Sequence, residues 1–66
     1  MKNSIKVQRA MNDLTQDQLA KKIGVSRQTI NSIEKGRYVP STVLALKMSE
    51  LFGVSVNEFF QLESDD

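Results

Sequence analysis

A chain of 66 residues makes one small domain, and because it contains no cysteine and no histidine it has no disulfide, no thiolate metal site and no imidazole base. It has no apolar run of ~18 residues and no secretory signal, so we expect no membrane span and a soluble, cytoplasmic protein. The net charge is +1, but all nine lysines and arginines and only three acids fall in residues 1–47, a net +6, which favours a polyanion as the partner of this part.

The spacing of apolar residues is helical along the chain and predicts five helices. The first is predicted over residues 4–12 and ends at Asp13, a residue type that tolerates the left-handed backbone conformation. The second begins at Thr15, because the Thr15 hydroxyl and the Gln18 side chain at this spacing fit a capping box. It ends at Gly24, since glycine commonly terminates a helix.

The third helix is predicted to begin at Ser26, a favoured N-cap residue, and to end before Gly36. The fourth begins at Ser41 and carries an apolar stripe along one face. A second capping-box pattern in residues 55–58 predicts a short fifth helix that carries two phenylalanines. Sustained two-residue alternation is missing, although residues 60–63 could pair as a short strand.

These elements predict an all-α fold, a compact five-helix bundle in a single domain over residues 1–66, with a short terminal β pairing as an option and a frayed tail at 62–66. Within it, residues 15–36 place two short helices on either side of a three-residue turn. Ala20 is small where these helices would cross, and Gly24 can adopt positive φ in the turn. This arrangement is typical of the helix-turn-helix, which places its second helix in the major groove of DNA.

The predicted third helix presents a polar face of five residues: Arg27, Gln28, Thr29, Asn31 and Ser32. A merely solvated helix usually carries Glu and Lys, which have better helix propensity than Thr, Asn and Ser. The amide and guanidinium groups of this face suit base edges, since Gln matches adenine and Arg matches guanine through two hydrogen bonds. We therefore predict that this face reads bases, and an ordinary solvated face is the alternative.

The chain resembles the Cro/phage-repressor family of regulators, also called the XRE type, whose fold is the lambda-repressor-like DNA-binding domain. The matching residues cover nearly the whole chain: Thr15-Gln16, Leu19-Ala20, Gly24-Val25-Ser26, Gln28-Thr29-Ile30, Ile33-Glu34, Gly36, Pro40-Ser41, Gly53-Val54-Ser55 and Phe59-Phe60. The run over residues 26–31 and the short length are most similar to stand-alone members such as the cytolysin-operon repressor, a homodimeric group. Asp13 and Thr42 depart from the family, in which Gly and Leu are common, but neither position should contact DNA.

The resemblance implies that residues aligned with Arg27, Gln28 and Ser32 touch bases. It also implies a set of contacts to the DNA backbone, made by Thr15, Gln16, Ser26, Lys35, Arg37 and Tyr38. Gln16 begins the second helix, where free amides and the helix dipole favour a phosphate. For a lysine in this set, a plain surface charge is an equal alternative.

Arg9 and Glu34 match a family ion pair that joins the first helix to the end of the third. The resemblance implies a structural role for this pair rather than a catalytic one. Each residue would need the other, because a single buried charge is costly.

The apolar residues near the C-terminus, together with Val39 outside the main stripes, predict a dimer interface that consists of Val39, Val54, Val56, Phe59 and Phe60. One short terminal helix is expected to bury too little of this surface, and a large exposed apolar patch on a small monomer usually marks an interface. Leu46 is expected to join it, and we place Val56 near the two-fold axis.

The resemblance implies a sequence-specific transcriptional regulator, a repressor that binds an inverted-repeat operator in double-stranded DNA as a homodimer. We expect no catalytic residues, metal, cofactor or small-molecule effector domain, because no acid or nucleophile cluster and no Gly-rich phosphate loop occurs. A protein-interaction module with a vestigial helix-turn-helix is the main alternative, and the polar face of the third helix argues against it. A purely structural bundle is a third alternative, which would leave the uneven charge unexplained.

Overall fold

The chain folds into four α-helices, one 3₁₀ helix and a two-stranded sheet, and the computed structural model describes all of residues 1–66. The α-helices are α1 (Ile5–Met11), α2 (Gln16–Ile23), α3 (Arg27–Glu34) and α4 (Thr42–Phe52). The 3₁₀ helix is Val56–Glu58, and the strands are β1 (Lys2–Asn3) and β2 (Phe60–Gln61). The mostly helical fold agrees with the prediction, whereas the count of five α-helices is wrong. None of these helices is both long enough and apolar enough to span a bilayer.

The fifth α-helix, predicted to begin at Ser55, is replaced by the single 3₁₀ turn Val56–Glu58. Ser55 makes no side-chain capping hydrogen bond, so the second predicted capping box does not form. The backbone turns instead toward the N-terminus, where the Ser4 N–H donates to the Phe59 carbonyl oxygen at 2.9 Å. The reason is that pairing with β1 satisfies the backbone groups that a longer helix would have satisfied internally.

β1 and β2 pair in antiparallel orientation and bring the two ends of the chain together. Lys2 lies opposite Gln61, and Asn3 lies opposite Phe60. The strand pairing predicted within residues 60–63 is confirmed at its first two positions. Its partner is β1, which no sequence pattern predicts.

The tail that follows β2 folds back onto the first residue. The Met1 ammonium lies 3.0 Å from the Glu63 carboxylate and 3.2 Å from the Asp66 carboxylate. The hydrogen bond to Glu63 is the main cause that raises the pKa of the Met1 ammonium. The Asp66 carboxylate accepts a hydrogen bond from the Glu63 N–H at 2.7 Å. This bond is the main cause that lowers the pKa of Asp66. Fraying of residues 62–66 stays a prediction.

The ends of α1, α2 and α3 form as predicted. Asp13, with φ 54°, is the one residue other than glycine with positive φ, and it ends the segment that contains α1. The capping box of α2 is complete, because the Gln18 N–H donates to the Thr15 hydroxyl at 3.0 Å and the Thr15 N–H donates to the Gln18 side chain at 2.9 Å. Ser26 caps α3 by accepting from the Thr29 N–H at 3.1 Å.

A core of apolar side chains joins all four α-helices to the segment around β2. Eleven residues form it: Ile5, Leu19, Ala20, Ile23, Ile30, Ile33, Leu44, Met48, Phe52, Phe59 and Phe60. Phe59 is fully buried, and its ring meets the Phe52 ring edge to face with centroids 5.3 Å apart. This geometry is favourable because the positive edge of one ring meets the negative face of the other. The core therefore anchors both helices of the helix-turn-helix to the rest of the chain.

Candidate nucleic-acid interface

The turn between α2 and α3 determines which face of α3 points outward. Gly24 has φ +77°, a conformation that side-chain-bearing residues rarely adopt. The next residue, Val25, donates its N–H to the Ala20 carbonyl at 3.0 Å and closes the end of α2. Ile30 and Ile33 are buried on the inner face of α3. The opposite face of α3 is therefore presented outward by a short turn and a packed core.

The residues predicted to read bases lie together on this outward face. Arg27 and Gln28 are exposed, whereas Thr29, Asn31 and Ser32 are half-buried. The Thr29 hydroxyl lies 2.9 Å from the Ser26 hydroxyl, so the two hydroxyl groups are hydrogen-bonded to each other. The methyl group is the other part of the Thr29 side chain. The face therefore combines long polar side chains at the start of α3 with shorter ones along it.

Gln28 separates two shallow hollows on the outward face of α3. One hollow is lined by Arg27, Gln28 and Asn31. The other, of about 260 Å³, is lined by Gln28, Thr29, Ser32, Arg37 and Tyr38. Gln28 lines both hollows, so its exposed side chain lies between them on the outward face of α3.

The residues predicted to contact the DNA backbone fall at both ends of α3. Lys35, Arg37 and Tyr38 are exposed and follow the end of the helix. At the other end, a hollow is lined by Arg9, Thr15, Gln16, Asp17 and Arg27. The N-terminus of α2 opens at this hollow, where its first-turn N–H groups have no partner within the helix. Exposed donors therefore follow the end of α3, whereas the hollow at its start combines Arg27 and the first N–H groups of α2 with the Asp17 carboxylate.

Arg9 and Glu34 form the ion pair that the resemblance implies. Arg9 Nε donates to Glu34 Oε2 at 2.6 Å, and Nη2 donates to Oε1 at 3.2 Å. Arg9 Nη1 also donates to the Leu14 carbonyl at 3.0 Å, so all three nitrogens of the guanidinium are used. The side chains are only 14% and 9% exposed. The pair fastens α1 and the loop after it to the end of α3.

Gln16 has a role in this structure that sequence reasoning missed. Its Nε2 donates to Glu34 Oε1 at 3.1 Å and to Asn31 Oδ1 at 3.4 Å. The side chain predicted to meet a phosphate is therefore turned toward α3. Asn31 and Glu34 are three residues apart on one helix face, which is the only sequence signal for a shared partner.

The residues predicted to form a dimer interface differ widely in exposure. Val39 is exposed, and Val54 and Val56 are half-buried. Phe59 is fully buried and Phe60 nearly so, because both pack in the core of the same chain. The premise that the terminal segment cannot bury these aromatic rings is therefore wrong, and Phe59 has no surface to offer a second copy.

An apolar groove nevertheless lies beside Val56. It has a volume of about 220 Å³ and is lined by Met1, Pro40, Ser41, Thr42, Ala45, Leu46, Val56 and Phe60. Leu46, at 55% exposed, stands on α4 at this groove, and Val43 on the same helix is also exposed. The apolar surface available for an interface therefore centres on α4 rather than on the terminal aromatic residues.

Comparison with known proteins is consistent with this geometry. The sequence model of the helix-turn-helix family matches residues 5–59. The chain is similar to an HTH-type transcriptional regulator of Methanocaldococcus jannaschii, with 54% identity over the full length of both chains. It is similar to the HTH-type transcriptional regulator YgzD of Bacillus subtilis, with 44% identity over the full length of both. It is also similar to the ImmF control region 10 kDa protein of Bacillus phage phi105, with 38% identity over 80% of this chain and 59% of the phage protein.

Proposed function

Since the chain belongs to the helix-turn-helix family of DNA-binding transcriptional regulators, we propose that it is a repressor that reads a specific operator with α3. Proteins of this family regulate transcription and are typically not enzymes, and we place this one in the cytoplasm with its DNA. The observation that carries the proposal is the outward face of α3. It presents Gln28 between two hollows, and the exposed Lys35 and Arg37 follow its end.

The proposed reading of bases follows from the chemistry of this face. A major-groove edge of adenine offers a donor beside an acceptor, which a Gln amide matches with two hydrogen bonds. Arg27 supplies the donors that a guanine edge requires. Lys35 and Arg37 are proposed to contact phosphates, which position the protein without reading sequence.

Repression of transcription through an inverted repeat requires two copies of α3. The exposed apolar residues along α4, together with the groove beside Val56, support a two-fold dimer formed by this surface. Two recognition helices related by this axis would enter adjacent major grooves with half-site centres about 34 Å, or about 10 base pairs, apart. The similarity to a phage control-region protein supports a regulatory role.

The test is to select bound sequences from a random DNA pool and then compare Gln28→Ala with Arg37→Ala over a salt series. Gln28→Ala should weaken binding by roughly 1–3 kcal/mol per half-site and relax the base preference at one position. Arg37→Ala should weaken binding to all sequences alike and reduce the salt slope by about one unit for each phosphate that is no longer neutralised. If Gln28→Ala weakened every sequence equally and kept the preference, α3 would not be the reader.

A further inference from the structure

Two backbone hydrogen bonds at the end of α3 determine how the chain continues toward Arg37. The Gly36 N–H donates to the Ile33 carbonyl at 3.0 Å, and the Arg37 N–H donates to the Ser32 carbonyl at 2.9 Å. Gly36 has φ +72°, the left-handed conformation that this type of helix end uses. The backbone that carries Arg37 is therefore folded back onto the last turn of α3.

The side chain of Asn3 adds a third hydrogen bond to this helix end. Its Nδ2 donates to the Ile33 carbonyl at 2.8 Å, across 30 residues of sequence. Its Oδ1 accepts from the Ile5 N–H at 3.3 Å, and these two partners fix which end of the amide is nitrogen. A carbonyl oxygen has two lone pairs, so the Ile33 carbonyl can accept from Gly36 and Asn3 together.

Asn3 is itself held by the two-stranded sheet. It lies opposite Phe60 in the pairing of β1 with β2. The next residue, Ser4, donates its N–H to the carbonyl of Phe59, whose side chain is fully buried in the core. The bond from Asn3 therefore joins the end of α3 to a strand that the core holds in place.

The segment that follows this helix end carries two of the side chains that are proposed to contact phosphates. Lys35 lines a hollow together with Asn3, and Arg37 lines the hollow that contains Gln28 on the outward face of α3. A segment that becomes ordered only on binding costs free energy at that moment, so a segment ordered beforehand binds more tightly. The hydrogen bond from Asn3 should therefore affect how well Lys35 and Arg37 bind DNA.

We infer that Asn3 is a positioning residue for DNA binding, which holds the end of α3 so that Lys35 and Arg37 meet phosphates in an ordered segment. This inference rests on the proposed function and adds to it a residue that lies outside the helix-turn-helix. Contacts to phosphates position the protein without reading sequence. Loss of the Asn3 bond should therefore weaken binding to all sequences and leave the base preference as it was.

The first test measures amide hydrogen exchange in the free protein. Asn3→Ser removes the bond to Ile33 but keeps an oxygen for the first N–H of α1, because a serine hydroxyl can accept from the backbone two residues on. Exchange at Gly36 and Arg37 should become about fivefold faster, the ratio equivalent to one net hydrogen bond. Exchange at Val25, whose N–H makes the corresponding bond at the end of α2, should not change.

The second test measures DNA binding over a salt series, with a sequence selected from a random pool. Asn3→Ser should weaken binding to every sequence by about fivefold per half-site. The salt slope should become smaller, because a phosphate is neutralised less completely. In a Lys35→Ala/Arg37→Ala background the same substitution should change the affinity by less than about twofold, because the side chains that Asn3 positions are then missing.

The chain offers a matched control at the end of α1. Asn12 Nδ2 donates to the Gln8 carbonyl at 2.8 Å, so Asn12→Ser removes the same kind of bond at another helix end and should leave the DNA affinity unchanged. Asn3→Thr is a second variant of the positioning residue, with a better strand propensity, and should give the same results as Asn3→Ser. Thermal melting shows that each variant is folded.

The possible outcomes distinguish the inference from the proposed function. A wild-type protein that selects no sequence would overturn both. A wild-type protein that selects a sequence, with Asn3→Ser and Asn3→Thr binding it equally well, would overturn only the inference. Equal losses for Asn3→Ser and Asn12→Ser, or equal losses with and without Lys35 and Arg37, would show a general loss of stability and would also overturn it. Unchanged exchange at Gly36 and Arg37 would have the same consequence.

Discussion

Arg9 and Glu34 are charged residues that the fold nearly excludes from water, so each depends on the other for stability. We predict that Arg9→Ala and Glu34→Ala each lower the free energy of unfolding by about 3–5 kcal/mol, because each leaves an uncompensated charge. The double variant should lose less stability than the sum of the two single losses, because the second substitution removes the charge that the first left unpaired. Urea or thermal unfolding of the four proteins completes the cycle.

The chain offers a matched control in a second ion pair. Lys21 lies 3.2 Å from Asp17 on the surface of α2, with side chains 78% and 55% exposed. Lys21→Ala should change stability by less than about 1 kcal/mol, because water already solvates both charges. Equal losses for Arg9→Ala and Lys21→Ala would show that burial of the first pair contributes nothing.

At the same scale, the partners of single residues were only partly predictable. The pairing of Arg9 with Glu34 follows from the family resemblance, since the two are far apart in sequence. The contacts of Gln16 depend on how closely α2 crosses α3, which no local pattern reports. An N-terminal helix position is a general signal for an anion, and it gave no indication that the side chain bonds within the protein.

The two capping-box patterns provide a comparison at the scale of the element. Thr15→Ala removes the hydroxyl that accepts from the Gln18 N–H in a box that is formed, and it should cost about 1 kcal/mol. Ser55→Ala alters a box that is not formed and should change stability by less than about 0.5 kcal/mol. Thermal melting of the two variants measures the difference, and a larger loss for Ser55→Ala would contradict it.

These two elements also show why helix ends are predictable and the segment after α4 is not. The start of α2 depends on Thr15 and Gln18, which are close in sequence, so the pattern alone is sufficient. The segment after Ser55 carries the same kind of pattern but meets β1 from the far end of the chain. Pairing with a distant strand and burial of Phe59 outweigh the local preference for helix, which is weak.

For the whole molecule, the proposed dimer can be tested at the exposed apolar surface of α4. We predict that Leu46→Glu gives a monomer, because it places a charge on the exposed apolar surface of α4 at the groove. Leu62→Glu is the control, since Leu62 is 82% exposed and lies outside the groove. Sedimentation at ~100 μM compares them, a concentration well above a micromolar dissociation constant. A monomeric wild-type protein at this concentration would contradict the dimer.

The contact between Met1 and the tail makes stability depend on pH at both extremes. The Met1 ammonium has a pKa raised above 8.0, so its contribution is complete below that pH and is lost as pH rises through the raised value. Asp66 has a pKa lowered below 3.8, so its contribution is present above that pH and is lost as pH falls through the lowered value.

The check for this pH dependence is the double variant Glu63→Gln/Asp66→Asn. It should melt below the wild type at about pH 7. The difference should become smaller at strongly alkaline pH, where the ammonium of the wild type is lost. A difference that does not change with pH would show that the ammonium contributes nothing.

The pairing of β1 with β2 has a consequence for biosynthesis. A ribosome adds residues from the N-terminus at roughly 5–20 per second. Lys2 and Asn3 are therefore synthesised long before Gln61 and Phe60, with which they pair. The contacts between α2 and α3 join residues close in sequence, so little chain entropy is lost when they form. α3 is therefore expected to pack against α2 before the sheet that joins the termini forms, because that sheet needs residues as far along the chain as 61.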